Sequence, residues 1–487
     1  MNLTSALRIA SGSLSNASSA ISTVSENIAG VSNPNYARRE AQITSGPAGT
    51  TVVQISRRVN LALAGEMSSA LSRSASDTAV SDVYDRLATF LGDMAGEASP
   101  HAAVSRLRDS LDLASASASD PVALSTVVES ARNAAGSINS AYQQVMDLSA
   151  ELDSSIAASV ARVNELLSQI LVLNREITAE GPASRRTLSA LDQRDALVSE
   201  LSGEIGITVR YRENNDIAIF TTGGLTLFDR IPREVRFEQA APWGASTAGN
   251  PVYIDGVPVT GLDSSAASQG KLSGMLQARD NVLGVQKNRL DEVARGLVEV
   301  FAETDQTGGG KPPLAGLLTW SGGPAVPPTG TIATGIGLTI AVNPLMDPQA
   351  GGNVRFLRDG GTYGDGDYVE NSTAASGFSD RLIALSAGLT APRSFDPASS
   401  VAAGGGVIGF AAAFVGAFDE ERRIAGDKSE RAVLVAERIS ASLRTQTAPV
   451  LDNELAQLLE LERSYQASAK IIAAVDALLD SLIQGLR

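Results

Sequence analysis

Residues 451–487 read LDNELAQLLELERSYQASAKIIAAVDALLDSLIQGLR, and they decide the fold. Leu451, Leu458, Tyr465, Ile472, Leu479 and Leu486 share one heptad position. Leu461, Val475 and Leu482 fall three residues after members of that series, and Leu455, Ala469 and Ile483 fall four after. No Gly or Pro interrupts the run before Gly485. A period of 3.5 held this long predicts a helix that packs along a narrow seam, and such a helix needs a partner.

The first thirty residues supply one. Leu3, Leu7, Ala10, Leu14, Ala17, Ile21, Val24, Ile28 and Val31 alternate three and four apart, with Ser, Asn, Thr and Ala filling much of the rest. So narrow a stripe suits a coiled-coil seam better than a globular core. The two ends pair with each other, pair with copies from neighbouring subunits, or dock as ordinary helices on one domain. The pattern alone leaves all three open.

The segment Asn27-Ile28-Ala29-Gly30-Val31-Ser32-Asn33-Pro34-Asn35-Tyr36 then stops the first helix. Asn33 precedes a proline, which drives its backbone out of the α region. Asn35 is expected at a turn position of positive φ. This stretch resembles the signature of the bacterial flagellar axial proteins (rod, hook and hook-associated proteins), Asn-Ile-Ala-Asn-x-x-Thr-Pro-Gly-Tyr. Gly30, Asn33 and Asn35 stand for the second Asn, the Thr and the Gly, and keep turn chemistry.

Between the ends, the chain of 487 residues is too long for one ordinary core. Ala41 to Asn60 alternates as a short hairpin around Gly46-Pro47. Leu61 to about Gly181 is Ala/Ser-rich and helical, with breaks at Gly96 to Pro100 and Asp120-Pro121, and Gly181-Pro182 ends it. Thr187 to Glu204 is a further helix. Aromatics make up only 4% of the chain, so these helices pack closely through Ala, Leu and Val. Ile207 to Tyr211 and Ile217 to Thr221 read as strands around Asn214-Asn215. Leu225 to Phe228, Val235 to Phe237 and Val252 to Ile254 continue the β pattern, with Asp255-Gly256 a further turn. Gly270 to Thr304 is helical, and Gln306 to Gly337 is Gly/Pro-rich loop. Leu338 to Val342, Val354 to Leu357 and Asp365 to Val369 read as weak strands, and helices resume from Ser376.

The expected fold is mainly α with a β insertion. It is an elongated multidomain molecule with terminal coiled-coil-like helices, a long helical bundle and a small outer β domain. Residues 1–36 with 449–487 form the terminal coiled-coil domain. Residues 37–205 with 376–448 form the bundle, with the hairpin near 41–60. Residues 206–375 form the outer domain, with an inserted helix at 270–304.

Two internal stretches and the tail narrow the resemblance. Leu191-Asp192-Gln193-Arg194-Asp195, Gly270-Lys271-Leu272-Ser273-Gly274-Met275-Leu276 and Glu462 to Asp480 are similar to the hook-associated protein 1 family, which forms the hook–filament junction. Ala448 to Glu454 departs from the pattern usual before the tail. The resemblance implies a structural part of the flagellum that self-assembles in a ring. Hook protein would lie on one side, and a second junction protein or flagellin on the other. It also implies an export chaperone bound through the C-terminal helix, and an extracellular place reached by type III export without a cleaved signal peptide. A hook or distal-rod protein is the alternative within the family, and an adhesin or enzyme carried on a flagellar-type scaffold the alternative outside it.

Composition agrees. A net charge of −15 argues against nucleic acid and anionic membrane as partners. The absence of cysteine removes disulfides and thiolate sites. Met1 to Ala20 has no apolar signal core, and Val407 to Phe418 is too short to span a bilayer. His101, the one histidine, rules out a multi-histidine metal site within the chain and reads as a surface or turn residue. Gly404 to Gly409 has dinucleotide-fingerprint spacing but lacks the preceding strand that motif needs. Gly364-Asp365-Gly366-Asp367 is too short for a calcium loop and reads as tight turns. No catalytic residue, metal or cofactor is expected. The assembly interface is expected at Leu3, Leu7, Leu14, Ile21, Ile28, Leu451, Leu458, Tyr465, Ile472 and Leu479, and the signature turn at Asn27, Asn33, Pro34 and Tyr36.

Overall fold

The computed structural model describes residues 3–45, 51–91, 99–180, 184–259, 269–401 and 405–485. The expected breaks at Gly46-Pro47, Gly96 to Ala98 and Gly181-Pro182 lie outside these residues, as do Gly404 and Leu486 and the side chains of Leu3, Leu482 and Ile483.

Helix α1 (Leu3–Gly30) leads through the signature turn to a hairpin, β1 (Arg39–Ser45) with β2 (Thr51–Arg57), in the register Arg39 opposite Arg57. Helices α2 (Leu61–Leu91), α3 (Pro100–Ala116), α4 (Pro121–Ala179) and α5 (Arg185–Glu204) follow. Their starts are written locally. Ser99, Asp120 and Ser184 each accept a hydrogen bond from a first-turn N–H, and Pro100 and Pro121 take the first helical position, where no N–H is needed. Among the described residues, α4 alone is long and apolar enough to cross a bilayer. Its stripe from Leu124 to Ile170 instead forms the spine of the core.

The β insertion opens with the antiparallel meander β3 (Ile207–Tyr211), β4 (Ile217–Thr221), β5 (Thr226–Asp229) and β6 (Ile231–Pro232). Asn214 and Asn215 turn the first hairpin at φ of 55° and 58°, where Asn is tolerated. A three-stranded sheet follows: β7 (Val235–Arg236), β8 (Val252–Ile254) and β9 (Val257–Val259), turned at Asp255-Gly256. Asn164 of α4 covers the edge of β7, accepting from the Val235 N–H at 3.1 Å and donating to its C=O at 2.8 Å.

Helix α6 (Lys271–Gln277) runs through a π turn at Ala278–Val282 into α7 (Leu283–Val300). Gly274 lets α6 lie directly on α2, since a Cβ there would stand 2.4 Å from the Ser76 carbonyl oxygen. Strands β10 (Leu318–Thr319) and β11 (Ala341–Val342) flank α8 (Ile336–Thr339). Helices α9 (Arg355–Asp359), α10 (Asp380–Gly388), α11 (Val407–Thr447) and α12 (Leu451–Gly485) complete the chain. On α11 the buried residues change along its length. Phe410, Phe414 and Phe418 fill the core, whereas Ala425, Ala432 and Ala436 meet α2 at close approach.

Three expected strands are corrected. Leu338 to Val342 divides between α8 and β11. Val354 to Leu357 enters α9, whose start the Asn353 side-chain oxygen caps by accepting from the Arg355 N–H. Asp365 to Val369 holds the 3-10 turn Gly366–Tyr368, because the Asp365 carboxylate accepts from the Asp367 N–H, and of the expected strand Val369 alone pairs, in a bridge to Gly360. In the last two, a side chain competes successfully with sheet pairing. Asn35 is also not among the residues with positive φ. Its N–H is instead held by the Asn33 side chain at 3.0 Å.

Asp291 of α7 is buried and caps α8, accepting from the N–H groups of Gly335 at 3.0 Å and Gly337 at 2.8 Å. Burial pushes its carboxyl up to about 6, against those two N–H groups, the Tyr142 hydroxyl and Lys287. The folded chain therefore binds this proton more tightly than the unfolded chain, where the value is about 4. The resulting stabilisation is complete below about pH 4 and is lost as pH rises through about 6. Asp291→Asn should flatten that part of the stability–pH curve. Parallel curves for variant and native chain, from urea midpoints across pH 4 to 7, would contradict this.

Candidate functional site

Both ends of the chain meet at one polar joint. At its centre is Asn27, near the end of α1, whose amide is fully used. Its Oδ1 accepts from the Arg39 N–H at 2.9 Å and from the Tyr36 hydroxyl at 3.0 Å. Its Nδ2 donates to the Arg39 carbonyl and to Oε2 of Glu454, each at 2.9 Å. Only an amide has two donors and an acceptor oxygen in this arrangement. Asn27 thus splices α1, the start of β1 and the first turn of α12.

The turn is shaped to deliver Tyr36. The N–H groups of Asn33 and Tyr36 bond to the carbonyls of Gly30 and Asn33. The Tyr36 ring folds over Gly30, where a Cβ would stand 2.6 Å from the ring. Burial pushes the Tyr36 hydroxyl up to about 12, with Arg39 opposing and Glu26, Asp192 and Glu454 reinforcing. The Arg39 guanidinium stands 5.1 Å from the ring centroid. Asn33 and Pro34 are exposed, so they shape the turn and take no part in the buried joint.

Charges extend the joint outward. Arg38 reaches Glu454 at 2.5 Å and Gln457 at 3.2 Å, and its N–H donates to the Thr447 carbonyl at the end of α11. Arg39 pairs with Glu26 at 2.5 Å and with Asp192 at 3.5 Å. Arg57 of the hairpin takes Asp192 at 2.8 Å and Asp195 at 2.6 Å. Burial raises the Asp192 pKa even though Arg57 opposes it. Arg194, in the same Leu-Asp-Gln-Arg-Asp run, points the other way. It donates to Asn174 Oδ1 at 3.0 Å and to the Asn215 carbonyl in the β3–β4 turn. The run therefore ties the joint to the β insertion through one helix, and its carboxylates are ion-paired rather than free for acid–base work.

Beyond the joint, α12 lies antiparallel on α1. Leu7, Leu14, Ile21 and Ile28 are half-buried, as are Leu458, Ile472 and Leu479. Tyr465 and Leu451 are 40% and 43% exposed, so neither is sealed in the seam. The sealed line runs through Ala10, Ala17, Ala20 and Val24 on α1 and Ser468 and Val475 on α12. Ser468 and Ser13 hydroxyls meet at 3.0 Å. Sequence reasoning missed Glu454, although a Glu seven residues before Leu461, at a seam position, signals a buried polar partner.

The weighed alternatives have structural settings. Gly405 and Gly406 lie just before α11, and the described residues before them form a 3-10 turn at Pro397–Ser399 rather than a strand. Lys311 sits against Asp365 at 2.5 Å and Asp367 at 2.6 Å, its own ammonium filling the place a cation would take. His101, expected as a surface or turn residue, instead lies half-buried in the first turn of α3, which Ser99 caps and Pro100 starts.

Residues 84–312 match a family model described as the flagellar hook-associated protein FlgK helical domain. Residues 451–485 match one described as the flagellar basal body rod FlgEFG protein C-terminal. Flagellar hook-associated protein 1 of Escherichia coli (strain K12) is 26% identical over 320 residues, 63% of this chain and 57% of that protein. The protein of the same name from Bacillus subtilis (strain 168) is 21% identical over 432 residues, 83% of this chain and 80% of that protein. The solved flagellar hook junction protein FlgK from Burkholderia pseudomallei is 23% identical, with a TM-score of 0.43, and covers 53% of this chain and 47% of that chain. The chain thus spans only 57% of the length of the first of these relatives.

Proposed function

We propose that this chain belongs to the family of flagellar hook-associated protein 1 and is a structural component of the bacterial flagellum at the hook–filament junction. It polymerises through its terminal helices in a ring, between hook protein on one side and a second junction protein or flagellin on the other. An export chaperone shields the C-terminal helix before type III export carries the chain outside the cell. The terminal pair, the bundle and the outer β-rich segment serve as inner contact, support and solvent-facing layer.

One observation supports polymerisation most directly: α12 carries exposed apolar residues on both flanks of the face it packs on α1. Leu7, Leu14, Ile21, Ile28, Leu458, Ile472 and Leu479 line the pairing of the chain's own ends. Leu451, Leu455, Leu459, Ile471 and Leu478 remain exposed, as does Ile9 of α1. A helix paired along one face and apolar on its flanks offers contacts to further helical neighbours. Copies related by rotation would each present and receive those flanks in a closed ring.

The test is Leu455→Glu with Leu459→Glu, returned to cells that lack the chain. Both side chains already face solvent, so the monomer's helical circular dichroism should be unchanged. Filaments should be lost and flagellin released to the medium. Normal filament number and swimming would overturn the assignment of these flanks.

A further inference from the structure

Two seam contacts made by side-chain polar atoms share one arithmetic. Asn27 with Glu454 and Ser13 with Ser468 each total 481 in residue number. They are fourteen residues, two heptads, apart on both helices, so a single antiparallel register holds between them. The apolar part of the seam does not choose that register. Leu458, Tyr465, Ile472 and Leu479 repeat every seven residues, and so do Ala10, Ala17 and Val24. A slip of one heptad, about 10 Å along the axis, would place Tyr465 where Leu458 was and Ile472 where Tyr465 was. Nearly the same apolar surface would remain covered.

We propose that the buried Asn27–Glu454 pair is the register key of the terminal helix pair, admitting one alignment of α12 on α1 and rejecting its heptad-shifted neighbour. The slip that draws α12 toward the joint puts Leu461 against Asn27 and moves Glu454 out of reach. One donor proton of the Asn27 amide then faces a methyl group. The Glu454 carboxylate loses the partner it has at 0% exposure. Glu454 passes into the segment that must unwind, so the Asn27 donor is the group left buried, and leaving it unpaired costs far more than exchanging one Leu for another. A single buried polar pair setting register is the best-attested use of polarity in helix seams. Connectivity does not settle the alignment by itself. Unwinding Leu451 to Gln457 would release seven residues between Thr447, bonded to Arg38, and the shifted helix. Arg38 reinforces the key, since its Nε holds the second Glu454 oxygen.

The chain contains no cysteine, so engineered pairs can read register directly. Ser13→Cys with Ser468→Cys reports the native alignment, the two hydroxyls being 3.0 Å apart. Ala20→Cys with Ser468→Cys reports the shifted one, whose residue numbers total 488. Each pair is oxidised in the purified full-length chain, with the native key and with Asn27→Ala plus Glu454→Leu. With the native key, the native-register disulfide should exceed the shifted-register disulfide by at least about tenfold, the ratio one charged hydrogen bond commands. With the apolar replacement, the shifted-register disulfide should rise to within about threefold of the native one. If the replacement still yields only the native-register disulfide, the key is elsewhere. Should it lose helical circular dichroism, Glu454→Gln takes its place, setting an amide between the donors Asn27 Nδ2 and Arg38 Nε. The same two outcomes then decide. The readout is alignment rather than stability, so a merely stabilising role for the pair would leave it unmoved.

Discussion

Asp153→Ala should lower the stability of the helical body by about 3–5 kcal/mol, the usual cost of stranding one partner of a buried ion pair. Asp153 on α4 and Arg279 in the π turn meet at 2.6 Å with side chains 1% and 0% exposed. The same guanidinium holds Asp280 at 2.7 Å and the Asn250 carbonyl at 2.9 Å, and lies 5.8 Å from the Phe237 ring centroid. The second Asp153 oxygen accepts from the Ala240 N–H at 2.7 Å. Removing the carboxylate leaves Arg279 with Asp280 but without its fully buried partner, and a loop N–H without its acceptor. Chemical denaturation followed by circular dichroism measures the loss. Glu151→Ala, two residues away, breaks the exposed pair with Arg86 and should cost under about 1 kcal/mol. Equal losses in the two variants would show that burial is not what gives the Asp153 pair its weight.

Gly274→Val should cost about 3 kcal/mol, the upper end of ordinary overpacking. Its Cβ would stand 2.4 Å from a backbone oxygen of α2 and 3.0 Å from Ala79 Cβ, and neither is the yielding end of a flexible side chain. Helix α6 would have to lift from α2. Gly270 limits any compensating movement, since it is wedged at φ +98° against the backbone of Ile205. Gly284, ten residues on in α7, has open space around it. Gly284→Ala should therefore stabilise by about 0.4–1 kcal/mol. A Gly274 variant as stable as the native chain would mean that α6 and α2 are not locked at this approach.

Periodicity made the helical frame legible. The heptads at both ends, the 271–300 helix and the hairpin turned by Asn214-Asn215 all follow from local pattern, because those elements need only their own residues and a covered face. The region from Leu338 to Val369 was not legible in that way. Its order comes from distant groups: Glu303 takes the N–H and hydroxyl of Thr362, and Asn343 donates to the Gly316 carbonyl at 2.9 Å. Bonds of that kind leave no period in a sequence. The joint was half legible. Asn33-Pro34 reads as a turn from residue chemistry and the resemblance singled out Asn27 and Tyr36, but the second acceptor for Asn27 lies 427 residues away. The seam was legible as a stripe, though its sealed line favours Ala10, Ala17 and Ala20 over the larger Leu7, Leu14 and Ile21. Close approach of two helices buries the small residues first and leaves the large ones as flanks.

The bond from the Arg38 N–H to the Thr447 carbonyl has a mechanical consequence. It sits where the chain leaves α1 for the hairpin and where α11 hands over to α12, so both covalent routes to the terminal helices pass one point. Tension applied to the α1/α12 pair would divide between two strands of backbone and enter the body through α11 and the hairpin together. Shear along the pair would load the Arg38, Asn27 and Glu454 contacts in parallel rather than one after another. A fastening loaded in parallel yields only when several bonds fail at once. A torque or pull delivered through the termini would thus reach the long α2/α11 shaft before this joint gave way.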